Sequence, residues 1–544
     1  MKKLRYILTL LLVGVLFAGC AKPADGPKGN EEPVKKVLNL AKDTDLSTMD
    51  HHIATDGLSF EVITSTIVGL YQLDANGVAI PELAESYDTN ADKTEYVFHI
   101  RKDANWENGT PVTAADFVFA WRRLADPVTA SEYSFIVETI KLKNAAKVLS
   151  GELPTSELGV TAVDEKTLKL ELDLPVEFLL SLMAFPSFFP LNEEFYTSQG
   201  DQYSLSPKNL LANGPFKLTE WVQGNNFVVE KNATFYNANK IAVDKIDFKV
   251  IQDTQSAMMV FEQGNFDVVK LTGELVDLYK DREEFSNRLE GYLWYLSLNH
   301  RVPELANKNL RFAIGLAYDR DKIAANVLKD GSIAATFIVP KGLSTGPDGK
   351  DFRETAGSYL AMDKAKALEY WNQAKTELKK DKVTLELLFE DTEASKSVAE
   401  FIKAEVETTL PGVTLNLKSQ PKKSRLQLMR DGDYQIGLTR WGPDYADPQT
   451  YLDLFLSTNT SNNTGRYVST VYDKYVLDGT SGQYASDAAL RWDSFKKAEA
   501  TMLGDDAAIL PVYQNGGALM TKKNVTGIEY HVVGITNYQR AKKQ

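Results

Sequence analysis

Cysteine is almost absent from this 544-residue chain, Cys20 being the only one. A single cysteine makes no disulfide within the chain and excludes a Cys-based zinc site. Histidine is scarce as well. His51 and His52 are adjacent and cannot face one metal from a strand, and His99, His300 and His531 stand far apart in sequence. No HExxH, P-loop or GxGxxG occurs, so neither a metal nor a cofactor is expected. Long apolar runs are missing. The best candidate, residues 7–17, is shorter than the roughly 20 residues a bilayer span requires. Positive charge is in deficit: 61 Lys and Arg face 74 Asp and Glu, a net charge of −13. An acidic chain is a poor partner for nucleic acid. The serine-hydrolase elbow is matched only by Gly342-Leu343-Ser344-Thr345-Gly346. Turn residues follow it where a helix is needed, so it reads as a loop. No nucleophile–base set supports a hydrolase, and no enzymatic activity is expected.

What is present begins with an export signal over residues 1–20. Lys2, Lys3 and Arg5 form a positive n-region, residues 7–17 an apolar h-region, and small residues precede Cys20. The stretch Leu16-Phe17-Ala18-Gly19-Cys20 resembles a bacterial lipobox, with Phe17 where Leu is usual. That implies lipidation of Cys20 after cleavage. Two or three acyl chains, at ~0.8 kcal/mol per buried CH₂, then hold the protein on the extracytoplasmic face of the cell membrane. Loss of Lys2, Lys3 and Arg5 takes the net charge from −13 to −16. Residues 21–36 are rich in Pro, Gly and charge and read as a flexible tether.

The remaining chain exceeds one hydrophobic core, so two or three domains are expected. Strand and helix signals alternate, which indicates an α/β protein. Residues 37–40 read as a first strand and 59–71 as a helix. In residues 95–101, Tyr96, Phe98 and Ile100 face one way and Val97, His99 and Arg101 the other. Thr113 and Asp116 form a capping box ahead of a helix that carries Phe117, Trp121 and Leu124 on one stripe. Residues 161–172 read as one strand, and 216–222 with 227–230 as a hairpin. Residues 310–328 hold helices broken at Tyr318-Asp319-Arg320. Strand 384–389, helix 394–410 and strand 413–417 form a βαβ crossover with a parallel pair. Residues 434–438 and 509–513 are later strands. Between them, Trp441-Gly442-Pro443-Asp444-Tyr445 sets flat aromatic faces beside a carboxylate and bare backbone. Such a loop suits an ammonium group with an adjacent chain.

Several stretches carry a family resemblance. They are Pro81 to Tyr87, Tyr96 to Arg101, Trp106-Glu107-Asn108-Gly109-Thr110-Pro111 to Phe117, Asn213-Gly214-Pro215-Phe216, Leu316 to Arg320, Trp441 to Pro448 and Ser461 to Thr464. They resemble the oligopeptide-binding proteins of the family 5 extracellular solute-binding group, over nearly all of the mature chain. The resemblance implies an α/β fold of the periplasmic-binding-protein type II kind, two lobes around a hinge with an extra third domain. Domain I would be 37–67, 192–291 and 511–544; domain II 68–191; domain III 292–510. The implied function is capture of an oligopeptide in a closed cleft and its delivery to an ABC import permease by a monomeric lipoprotein. A receptor for a signal or pheromone peptide, or a binder of a metal complex, haem or a sugar, is the alternative.

By the same resemblance Asp444 pairs with the peptide's α-ammonium. Gly442 and the Thr55-Asp56-Gly57 turn offer backbone groups, and Tyr133, Trp441 and Tyr445 offer aromatic contacts. The basic residues that hold the carboxylate end of short peptides in enterobacterial relatives are not matched. Leu438 and Ser395 stand at those places, and Lys422 replaces a nearby Trp. Arg440, Arg430 or Lys422 could substitute, which leaves preferred peptide length open.

Overall fold

The computed structural model describes residues 35–544, apart from 76, 177, 486 and 534. The export signal, Cys20 and nearly all of the tether lie outside the described residues. Among the described residues, no helix is long and apolar enough to cross a membrane.

Local signals translate well where they are strongly periodic. Strand Glu95–Ile100 buries alternate residues, Tyr96, Phe98 and Ile100, as its pattern dictates. Helix Ala114–Ala125 opens on the capping box: the Asp116 carboxylate accepts the Thr113 N–H at 2.7 Å, and the Thr113 hydroxyl accepts the Asp116 N–H at 3.4 Å. Its stripe of Phe117, Trp121 and Leu124 is fully buried. Strands Val383–Glu390 and Val413–Gln420 run parallel, joined by helix Glu393–Thr409. The segment 161–172 differs from the reading as one strand. It is a hairpin of Val160–Asp164 and Thr167–Glu171. The Asp164 carboxylate accepts the Lys166 N–H at 2.8 Å, and this local bond turns the chain where apolar alternation alone shows no break. The Gly342 to Gly346 stretch is a loop. It closes through the Gly346 N–H to the Lys350 carbonyl at 2.7 Å, with no helix behind Ser344.

Three sheets organise the molecule. A seven-stranded mixed sheet runs Phe285–Ser286, Leu519–Thr521, Val268–Lys270, Val37–Lys42, Lys245–Val250, Asn226–Lys231 and Phe216–Val222. A six-stranded mixed sheet runs Ile333–Ala334, Ile509–Gly516, Leu289–Leu298, Ile436–Trp441, Val383–Glu390 and Val413–Gln420. A four-stranded antiparallel sheet is built wholly from residues between Ala84 and Glu171. In the long strand Leu289–Leu298, Trp294, Leu296 and Leu298 enter one core while Leu293 and Tyr295 enter another. The period of two thus divides one strand between cores on both faces of its sheet.

The two larger sheets exchange the chain twice. It leaves the seven-stranded sheet after Ser286 and enters the six-stranded one at Leu289; it leaves that sheet after Gly516 and returns at Leu519. Two short crossings, side by side, are what a hinge between lobes requires. Strand Ile509–Gly516 lies wholly in the six-stranded sheet.

Candidate functional site

A cavity of about 80 Å³ lies where segments from all three sheet regions meet. Its first wall is the start of helix Gly57–Thr66. Asp56 caps that helix, its carboxylate accepting the Ser59 N–H at 3.2 Å and the Ser59 hydroxyl at 2.7 Å. Thr55 and Gly57 flank it on the cavity surface. A second wall is Tyr133, whose ring packs on Phe60 and Phe185 and stacks 6.0 Å from Trp441. The third wall is the end of strand Ile436–Trp441 and the loop after it, with Arg440, Trp441, Gly442 and Asp444.

Tyr292, on the strand that leaves the first crossing, is the keystone of these walls. A Cβ on Gly57 would stand 2.2 Å from its hydroxyl oxygen, and one on Gly442 would stand 2.4 Å from its Cε1. Both positions are glycine because the ring lies against bare backbone from two lobes at once. We predict that Gly442→Ala forces the ring aside at the usual overpacking cost of about 1–3 kcal/mol. The expected result is a lower urea midpoint; an unchanged midpoint would show that Tyr292 swings away freely.

Asp444 is the electrostatic anomaly. It is 7% exposed, and no cation stands within ion-pair distance among the described residues. The Tyr133 hydroxyl donates to its Oδ1 at 3.1 Å, and the Thr450 hydroxyl accepts its backbone N–H at 3.0 Å. Burial pushes its carboxyl up to about 8, against the smaller opposing pull of the Tyr133 hydrogen bond. A carboxyl in that state is neutral at pH 7 and becomes a carboxylate when a cation arrives.

The cations across the cavity are mostly engaged. Lys422 Nζ lies 2.8 Å from Asp56, with both side chains buried. The pair joins the helix that follows Pro421 to the start of helix Gly57–Thr66. Arg425 lies 3.3 Å from Glu390, also buried, and donates to the Thr439 hydroxyl at 2.9 Å. Burial works against the Arg425 charge and lowers its affinity for the proton, with Glu390 opposing. Arg430 lies 3.0 Å from Glu132. Arg440 instead lies over the rings of Tyr292 and Trp294, at 5.2 and 4.9 Å.

Of the residues singled out from sequence, Thr55, Gly57, Tyr133, Arg440, Trp441, Gly442 and Asp444 line this one cavity. Tyr445 does not. It is buried and stacks on Phe178 at 4.2 Å, as part of a core. Leu438 is fully buried in the core behind the sheet, and Ser395 is buried at the start of its helix. Sequence reasoning missed Tyr292, Glu390 and Arg425. The spacing of Lys422 and Arg425 could have suggested a shared helix face. Nothing local marked Tyr292.

The family model for bacterial extracellular solute-binding proteins, family 5 Middle, matches residues 78–463. A dipeptide-binding protein of Lactococcus lactis is 31% identical over 97% of this chain and 96% of its own length. The substrate-binding domain of an oligopeptide ABC transporter from Bacillus anthracis superposes with a TM-score of 0.90 at 40% identity, over 94% of this chain and 99% of that one. OppA of Listeria monocytogenes, solved bound to peptide, gives 0.89 at 34% identity, over 94% and 99%. The two-lobed arrangement is thus that of the OppA-type binding proteins, and the chain belongs to the bacterial extracellular solute-binding proteins of family 5.

Proposed function

We propose that this protein is the extracytoplasmic receptor of a peptide importer, closing its lobes on an oligopeptide and presenting it to an ABC permease. The observation that carries the reading is Asp444: an enclosed carboxyl with no cation from the described residues, at the wall of a cavity between the lobes. The α-ammonium of a peptide supplies the missing charge. The relatives support it, since the Lactococcus lactis protein is named for dipeptides and the Listeria monocytogenes protein was solved with a peptide.

The backbone at Gly442 and at Thr55 to Gly57 would bond an extended ligand as an added strand does. Tyr133 and Trp441 would cover it with aromatic surface. Water in the adjoining cavities would adapt to different side chains at modest cost, giving broad sequence preference. No catalytic step is assigned. The receptor works as a monomer, held at the membrane by lipid on Cys20. Its domain I comprises 37–67, 192–291 and 511–544, domain II 68–191 and domain III 292–510. The sheet membership of Ile509–Gly516 favours placing the last crossing near Gly516.

Mass spectrometry of ligand released from the purified protein by denaturation tests the reading. Peptides with free amino termini are expected; a non-peptide solute as the sole ligand would overturn it. N-acetylation of a bound peptide is expected to weaken affinity at least tenfold by calorimetry, because an uncharged amide leaves Asp444 unpaired in its enclosure. Equal binding of both forms would count against the assignment.

A further inference from the structure

Helix Lys422–Asp431 belongs to the lobe of the six-stranded sheet, between strands Val413–Gln420 and Ile436–Trp441. Lys422, Arg425, Leu426, Met429 and Arg430 stand at i, i+3, i+4, i+7 and i+8, so they form one face. The middle of that face is fixed to its own lobe. Arg425 lies 3.3 Å from Glu390, and Met429 packs with Leu388 and Tyr434. Leu426 lines the adjoining cavities of about 80 and 90 Å³. The two ends of the face reach the other lobe. Lys422, in the first turn, lies 2.8 Å from Asp56, which follows strand Val37–Lys42 of the seven-stranded sheet. Arg430, in the last turn, lies 3.0 Å from Glu132, within the span that builds the four-stranded sheet. At 1.5 Å per residue these ends are about 12 Å apart along the helix. One helix is therefore joined by charge to both parts of the opposite lobe.

The two ends differ in strength. The Lys422 and Asp56 side chains are only 8% and 6% exposed. An enclosed ion pair offsets its desolvation only where the remaining lone pairs are also satisfied. Asp56 meets that condition, since it accepts the Ser59 N–H and the Ser59 hydroxyl as well. Enclosure opposes its charge, yet Lys422 and then Ser59 hold the carboxyl below the usual range. The Arg430 and Glu132 side chains are 29% and 31% exposed. Enclosure raises the Glu132 carboxyl, and Arg430 only opposes that rise. The inner pair is the stronger, and the outer one is a rim contact. Glu132 directly precedes Tyr133, whose hydroxyl reaches Asp444 across the same cleft at 3.1 Å.

We propose that helix Lys422–Asp431 is a two-ended ionic clasp that holds the lobes closed without any contribution from a ligand. Opening the lobes separates Lys422 from Asp56 and Arg430 from Glu132 and returns all four charges to water. Closing engages both pairs at once, because one rigid helix carries the two cations. Part of the closure free energy then comes from protein charges alone, whatever solute the cleft takes. The clasp also sets how long a solute is retained, since one enclosed between the lobes leaves after both ends have released.

The test is small-angle X-ray scattering from the ligand-stripped protein, for wild type, Lys422→Met, Glu132→Arg and the double variant Glu132→Arg with Arg430→Glu. The empty wild type is expected to scatter as the closed arrangement. Lys422→Met keeps most of the side chain but leaves Asp56 enclosed without its cation, and only in the closed form. The closed-to-open ratio is then expected to fall at least about tenfold, read as a larger radius of gyration. Glu132→Arg sets two guanidinium groups against each other at the rim, and the ratio falls roughly two- to fivefold. Adding Arg430→Glu restores opposite charges and returns the wild-type radius. Thermal melting checks the fold of each variant. The outer-pair variants change partly exposed side chains, so they decide the matter if Lys422→Met does not fold. An expanded empty wild type overturns the clasp, as do single variants as compact as wild type. A double variant that stays as expanded as Glu132→Arg overturns it too. No ligand enters the measurement, so the peptide-receptor reading stands or falls separately.

Discussion

Asp444→Asn is expected to weaken binding of free-amine peptides by two to three orders of magnitude while leaving the fold intact. The substitution keeps the volume of the side chain and an oxygen to accept the Tyr133 hydroxyl, which lies 3.1 Å from Oδ1. What it removes is, among the described residues, the only carboxylate lining the cavity that lacks a cation. Truncating one member of an enclosed charge pair costs about 3–5 kcal/mol, because the other charge is left unpaired. At 1.4 kcal/mol per tenfold, that is roughly a hundred- to a few-thousandfold in affinity. The unliganded protein pays nothing comparable, since its Asp444 is already held neutral at pH 7. Calorimetry with a free-amine peptide checks the loss, and thermal melting of the empty protein checks the fold. Asp444→Ala should lose binding equally but also open a void beside Tyr133. Unchanged peptide affinity in the Asn variant would remove Asp444 from the site.

A second large effect is expected from pH. In the empty protein burial raises the Asp444 carboxyl to about 8, whereas an unfolded Asp titrates near 3.9. Between those values the native empty protein binds one proton more than the unfolded chain. The linkage slope is therefore negative, and the empty protein loses stability as pH rises from about 4 through about 8. An ammonium ligand reverses the preference by favouring the carboxylate, so binding near pH 7 should expel close to one proton. Affinity should fall at least tenfold between pH 8 and pH 6, because ionising Asp444 then consumes binding free energy. Above pH 8 it should fall again, since the peptide α-amino group, near 7.7–8.0, loses the charge proposed to pair with Asp444. Calorimetry in two buffers of different ionisation enthalpy measures the proton release directly. Affinity independent of pH with no proton exchanged would mean that Asp444 is ionised before the ligand arrives.

The two effects are linked through one arrangement. The loop after strand Ile436–Trp441 carries Asp444 out of the sheet, and the Thr450 hydroxyl accepts its backbone N–H at 3.0 Å. The Tyr451 hydroxyl donates to the Gly291 carbonyl at 2.6 Å and lies 3.1 Å from the Trp441 carbonyl, holding that loop against the hinge strand. The carboxyl is thus held in place before the ligand arrives, which reduces the ordering cost of binding.

Sequence alone determined what neighbours along the chain can determine. The alternation in Glu95–Ile100, the capping box of Thr113 and Asp116, and the parallel pair Val383–Glu390 and Val413–Gln420 are all dictated within a few residues or one crossover. The Trp441 to Asp444 loop was legible as a candidate place for an ammonium because its residue types already carry that chemistry. Tertiary structure decided everything that depends on who stands opposite. Thr55, Tyr133 and Asp444 are hundreds of positions apart in part, yet they share one cavity. Tyr445 has the composition of a site residue but stacks into a core on Phe178. Tyr292 sits in an ordinary apolar strand but meets two glycines from different lobes. Among Arg440, Arg430 and Lys422, sequence offered three equal cations; Glu132 and Asp56 engage two of them and leave Arg440 free. A periodic pattern reports which face of an element is buried. Whether a buried charge is already neutralised depends on residues that only the folded chain brings within a few ångströms.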